Sequence, residues 1–112
     1  MPVETQTDIE LLKGRSGSES ELQNPAGDIS GGVEQQIGNV SSFTIYLDVG
    51  GAVDITVELS PNGGSDYFEI AESPLVFNST GQDAYHVQYN TASVRLTGSN
   101  TTDVQAIVRE VV

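Results

Sequence analysis

The chain has 112 residues, no cysteine, and 16 acidic against 4 basic side chains, for a formal net charge of −12. Disulfides and thiolate metal sites are excluded, and a chain this short fits one domain. So acidic a surface repels nucleic acid, whose phosphates call for Lys and Arg, and repels anionic membrane surfaces too. Seven acids fall in residues 1–40 and nine in 41–112, so the acidity belongs to the whole protein rather than to one tail. This reads as halophilic adaptation, because concentrated salt screens the self-repulsion; the plainer reading is an ordinary acidic domain. No stretch approaches the ~20 apolar residues of a membrane span. The start, MPVETQTD, has neither a basic nor an apolar signal region, so no Sec-type signal peptide is expected.

Residues 1–40 are poor in apolar side chains, and Gly14–Ser20 has the composition of a flexible segment. They are expected to form an extended arm or linker. One short helix is predicted at 8–13, with Thr7 as N-cap, Glu10 completing a capping box and Gly14 ending it. Its Ile9, Leu11 and Leu12 make an apolar knot suited to docking on a neighbouring subunit; a helix this short does not stand alone in water. The other reading is a disordered tail. A second weak apolar run, 29–40, is broken by Gly31, Gly32 and Gly38 and reads as a linker with at most one short strand.

Residues 41–112 read as a β domain. Phe43, Ile45 and Leu47 alternate with Thr44, Tyr46 and Asp48; Val53, Ile55, Val57 and Leu59 alternate with Asp54, Thr56 and Glu58. Each is a half-buried strand with one wet face. If the two pair as a hairpin, parity demands the three-residue loop 49–51, setting Leu47 opposite Val53; otherwise they lie in different sheets. The next turn, 62–65, pairs Leu59 with Phe68 and Val57 with Ile70 and leaves Tyr67 outside. A short run at 75–77 follows, then an alternating strand at 84–89 with Tyr85, Val87 and Tyr89 inward. A loop at 90–93 would pair Val87 with Leu96, and the last strand, 104–112, is apolar on both parities. The fold class expected is all-β, an antiparallel β-sandwich or jelly-roll-like barrel of about seven strands with an extended N-terminal arm. A core of about 70 residues is small enough to predict oligomerisation as its staple.

No catalytic or ligand-binding motif stands out in the sequence. His86 is the one histidine, at a polar position of an alternating strand, which excludes the usual zinc sites and leaves a serine triad without an elbow motif. Among 16 acids some carboxylate pair is inevitable, so a glycosidase pair carries no information. Asp48, Asp54 and Asp66 near turns raise calcium, yet no D-x-[DN]-x-[DN]-G loop is present. Sequons at Asn39, Asn78 and Asn100 are weak evidence in a Ser/Thr-rich chain. No phosphate-cradling glycine loop, cofactor motif, metal site or catalytic residue is assigned.

The segment VDITVELSPNGGSDYFEI, with SVRLTGSNTTDVQAIV later, resembles small β-sandwich structural proteins of tailed viruses, particularly the acidic versions from viruses of haloarchaea. The resemblance spans about 41–112 and implies a capsid decoration, cement or turret protein. Such a protein would reside in the virion, stabilise the outer capsid surface, and have the major capsid protein as partner. It would be a homo-oligomer, with threefold symmetry favoured and the arm of residues 1–40 laid along a neighbour. The alternative is a carbohydrate-binding or adhesin-like module using Tyr46, Tyr67 and Tyr85 as stacking faces. An exposed tyrosine row on one sheet face would favour it.

Overall fold

The computed structural model describes residues 19–111. The expected helix at 8–13 and the knot of Ile9, Leu11 and Leu12 lie outside the described residues. Within them the chain forms nine strands: β1 (Glu19–Asp28), β2 (Val33–Val40), β3 (Ser42–Val49), β4 (Val53–Ser60), β5 (Phe68–Glu69), β6 (Leu75–Phe77), β7 (Gly81–Val87), β8 (Thr91–Gly98) and β9 (Asp103–Val111). All pairings are antiparallel. Sheet A has the order β1-β9-β3-β7; sheet B has the order β2-β8-β4-β5, with β6 also paired to β4. Among the described residues no strand pair joins the two sheets, so this is a two-layered sandwich.

The alternation legible in the sequence decides which side of each strand is dry. Phe43, Ile45, Leu47 and Val49 of β3 and Val53, Ile55, Val57 and Leu59 of β4 face each other across the interior, with Val94 and Leu96 of β8 and Val104, Ala106 and Val108 of β9. Each fully buried side chain of this kind contributes about 1.5–3 kcal/mol of transfer free energy.

β3 and β4 do not form a hairpin but lie in different sheets, the second of the two arrangements the sequence allows; the expected hairpin of β7 and β8 fails, because those strands too are split between the sheets. At the β3–β4 crossing Gly50 N donates to Asp103 O at 2.9 Å, and Asn100 Nδ2 donates to Ala52 O at 3.0 Å. The loop is thereby tied to the β8–β9 connection, which crosses at the same end. Val87 therefore pairs with Phe43, and Leu96 with Val57 and Val33. The turn at 62–65 keeps its expected register, with Leu59 paired to Phe68 and Ile70 N donating to Val57 O at 3.1 Å, but Phe68 is 63% exposed rather than on a dry face.

The arm assigned to residues 1–40 is corrected over its described part. Residues 19–28 pair with β9 and 33–40 with β8, one on an edge of each sheet. Leu22, Ile29 and Ile37 from this stretch are buried in the core. Local composition missed them because edge strands bury one residue here and one there. β1 also carries register shifts around Pro25, which blur its alternation. Ile29 is a hinge pin between the sheets: its carbonyl accepts from Gly32 N at 2.9 Å and from Gly98 N at 3.0 Å.

Candidate functional site

The outer face of sheet A is organised by register. Tyr46 on β3 stands level with Ile107 on β9 and Ala84 on β7. One step towards the start of β3, Thr44 is level with Arg109 and His86; one step the other way, Asp48 is level with Gln105 and Gln82. An apolar row with a single aromatic ring at its centre thus lies between two polar rows. The period of two puts these side chains outside because Ile45 and Leu47, their neighbours, are inside.

Tyr46 is 47% exposed and forms no hydrogen bond among the described residues. Its ring is flanked by two shallow grooves. One, of about 380 Å³, reaches Asp48, Gln82, Asp83 and Gln105; the other, of about 280 Å³, reaches Glu19 and Arg109. Both are lined by Tyr46 and Ile107. The polar rows are held by local bonds. Gln82 Nε2 donates to Asp48 Oδ2 at 3.2 Å, Gln105 Nε2 donates to Asn24 Oδ1 at 3.0 Å, and Thr44 Oγ1 and His86 Nδ1 lie 3.1 Å apart. Each amide keeps its carbonyl free to accept, and Asp48 keeps its second oxygen. Arg109 has no hydrogen bond or ion pair with any described residue, so its donors are also available.

The other predicted stacking tyrosines are not displayed in this way. On sheet B, Tyr67 has Arg95 over one ring face, 4.1 Å from the centroid, and its hydroxyl donates to Glu34 Oε1 at 2.9 Å. Tyr85 is half-buried against the core. Tyr89, expected inside, lies beyond the end of β7 and is 42% exposed, its hydroxyl donating to Glu72 Oε1 at 3.2 Å. The nearby Glu72 charge, with a smaller contribution from burial, raises the Tyr89 phenol above its ordinary value. His86 stands outside, as its parity predicts. The exposed tyrosine row that would favour a carbohydrate module is not found among the described residues; of the three candidates, Tyr46 alone is displayed on an outer sheet face.

The three aspartates weighed for calcium do not converge. Asp48 is on sheet A, Asp54 on sheet B, and Asp66 in the β4–β5 turn, where its Oδ2 accepts from Asn62 Nδ2 at 2.8 Å. Among the described residues no group of three or more His, Cys, Asp or Glu could hold a metal ion.

No protein-family model matches the chain, and no curated protein matches it by sequence. Solved structures do match its fold. A chitosan-binding module from a chitosanase/glucanase of Paenibacillus sp. IK-5 is similar with a TM-score of 0.51 at 9% identity, over 85% of this chain and 94% of that one. A pentameric capsid protein from metagenomic phage sequences follows at a TM-score of 0.46 and 11% identity, over 98% and 83%. The CBM1 of BiXyn10A gives 0.46 at 10% identity, over 88% and 99%.

The resemblance to virion decoration proteins is overturned by this pattern. Of the three, the chitosan-binding module alone passes one half, and the capsid protein falls below it. The residues that carried the resemblance have local duties any sandwich would need. In S-P-N-G-G, Ser60 Oγ accepts from Gly64 N at 2.8 Å and donates to Asn62 Oδ1 at 2.8 Å, closing the turn. In V-R-L-T-G-S-N, Val94 and Leu96 are core and Gly98 N binds Ile29. The capsid partner, the threefold homo-oligomer and the virion location went with that resemblance and are withdrawn with it. The argument from a core too small to stand alone also weakens, because β1 and β2 add to the core.

Proposed function

We propose that this chain is a non-catalytic carbohydrate-binding module that holds a glycan on the outer face of sheet A. The observation that carries the reading is Tyr46: an exposed ring without a hydrogen bond to any described residue, set between two grooves lined by amides, carboxylates and a guanidinium. A pyranose ring has an apolar C–H face and an equatorial belt of hydroxyls. Tyr46 and Ile107 offer the flat apolar contact, while Asp48, Gln82, Gln105 and Arg109 supply acceptors and donors around its edge. The sandwich is of the kind used by a chitosan-binding module; a shared fold speaks only for the scaffold, and the site carries the rest.

Retention of the full chain in native gels containing chitosan, xylan or soluble cellulose tests the reading. Retardation by at least one polysaccharide is expected. Tyr46→Ala should weaken that binding by about tenfold or more, a loss of roughly 1.4 kcal/mol, with the circular dichroism unchanged. Equal retention of wild type and Tyr46→Ala would refute the site.

A further inference from the structure

The two grooves beside Tyr46 are arranged end to end. Both touch Tyr46 and Ile107, one extends to the row of Asp48, Gln82 and Gln105, and the other to Glu19 and Arg109. Along β3, the four-residue step from Thr44, level with Arg109, to Asp48, level with Gln82, spans about 14 Å at ~3.4 Å per residue. That is longer than a single pyranose ring. Both grooves are open to solvent, and their linings together run from the Asp48 row past Tyr46 to the Arg109 row.

Resting on the glycan reading above, we infer that the ligand is an unbranched polysaccharide bound through the interior of its chain, running from the Asp48 row past Tyr46 to the Arg109 row. One sugar stacks on Tyr46, and its two neighbours lie in the flanking grooves. Polar groups line both ends of this path. At one, Asp48 and the Gln82 and Gln105 side chains present a carboxylate and amide groups. At the other, the Arg109 guanidinium donates and the Glu19 carboxylate, level with it, accepts. Sugar hydroxyls on both sides of the stacked ring therefore meet donors and acceptors. A module that captured only a chain terminus would need a single pocket beside the ring; here the ring divides the site.

Calorimetric titration of the full chain with cello-, xylo- and chitosan-oligosaccharides, from disaccharide to hexasaccharide, tests this. In whichever series binds, affinity should rise by about tenfold from the disaccharide to longer chains and then level off. Gln82→Ala and Arg109→Ala, at opposite ends, should each weaken hexasaccharide binding by about threefold or more. At most one of them should affect the disaccharide. If the disaccharide binds as tightly as the hexasaccharide, or both end variants bind the hexasaccharide like wild type while Tyr46→Ala does not, the chain-interior mode is wrong and the glycan reading survives. If no series binds, or if Tyr46→Ala binds the hexasaccharide like wild type, both fall together.

Discussion

Arg95 lies over Tyr67, its guanidinium carbon 4.1 Å from the ring centroid, while its Nε donates to Glu58 Oε1 at 2.9 Å. This pairing lies on sheet B, on the opposite side of the sandwich from Tyr46. It clamps the β4–β5 turn onto the sheet, because the Tyr67 hydroxyl also reaches Glu34 and, at 3.3 Å, Ser93 Oγ. Tyr67→Ala removes the stack and both polar contacts and should cost about 1–3 kcal/mol in chemical denaturation. Glycan retention should stay unchanged. Tyr46→Ala should do the reverse, leaving stability within about 0.5 kcal/mol, since an exposed ring without a hydrogen bond supports little. Loss of glycan retention in Tyr67→Ala at temperatures where it is folded would move the site to sheet B.

Tyr67 also gives a pH signature. Its phenol is raised above 10.0, first because burial disfavours the phenolate and further because Glu34 lies beside it. Tyr85, chiefly by burial, and Tyr89, chiefly by Glu72, are raised as well. The unfolded chain gives up these protons at the ordinary value, whereas the folded chain holds them longer. Their contribution is therefore complete below pH 10.0 and is lost as pH rises through the raised folded values. Midpoints measured from neutral to strongly alkaline pH should fall above that point. Tyr67→Phe should show a shallower fall; an identical slope would remove Tyr67 from the account.

Leu22 tests the corrected role of the N-terminal stretch. It is 7% exposed on β1, inside the core. Leu22→Ala should cost about 2–4 kcal/mol, the range for a large-to-small change in a packed interior. Were residues 19–28 an undocked arm, the substitution would be silent.

Gly98 marks a close approach between the sheets. A Cβ there would stand 3.2 Å from Ile29 Cγ1 and 3.3 Å from Asn100 O. Gly98→Val should therefore destabilise by about 1–3 kcal/mol through overpacking, read as a lower urea midpoint with an unchanged slope. A neutral Gly98→Val would show that the Ile29 anchor can shift freely.

Ser60 is fully buried, yet it satisfies three groups: it accepts from Asn62 N at 3.3 Å and Gly64 N at 2.8 Å and donates to Asn62 Oδ1 at 2.8 Å. Ser60→Ala leaves turn N–H groups without their acceptor and should cost about 1–3 kcal/mol. Ser60→Thr, which keeps the oxygen, should cost less, which separates the hydrogen bonds from simple packing.

Parts of the fold and site were legible in the chain. The inward sets of β3 and β4 follow from alternation, and the Leu59–Phe68 register follows from the length of a short turn. Tyr46 was readable as an outward residue and as a stacking candidate. Tyr67 and Tyr85 looked equivalent to it because alternation reports a side, not the neighbours on that side. Arg95 removes one Tyr67 face through a contact 28 residues away in the chain. Nothing in the sequence marks Ile107 and Arg109 as site residues, because the apolar run of β9 looks alike on both parities.

By itself, then, the sequence determined that this is a β chain without cysteine, which residues of β3 and β4 are dry, and how one short turn registers. These are properties of near neighbours, set by a side-chain period of two and by turn geometry. The tertiary structure alone decided that β3 lies between β9 and β7, because the loop after Val49 crosses between sheets where it could have doubled back within one. It also made residues 19–40 part of the core, through isolated anchors such as Leu22 and Ile29 that no local pattern announces. The site depends on that choice of partners. Tyr46 becomes a platform only when Ile107, from 61 residues further along, and Ala84, from 38, are brought level with it.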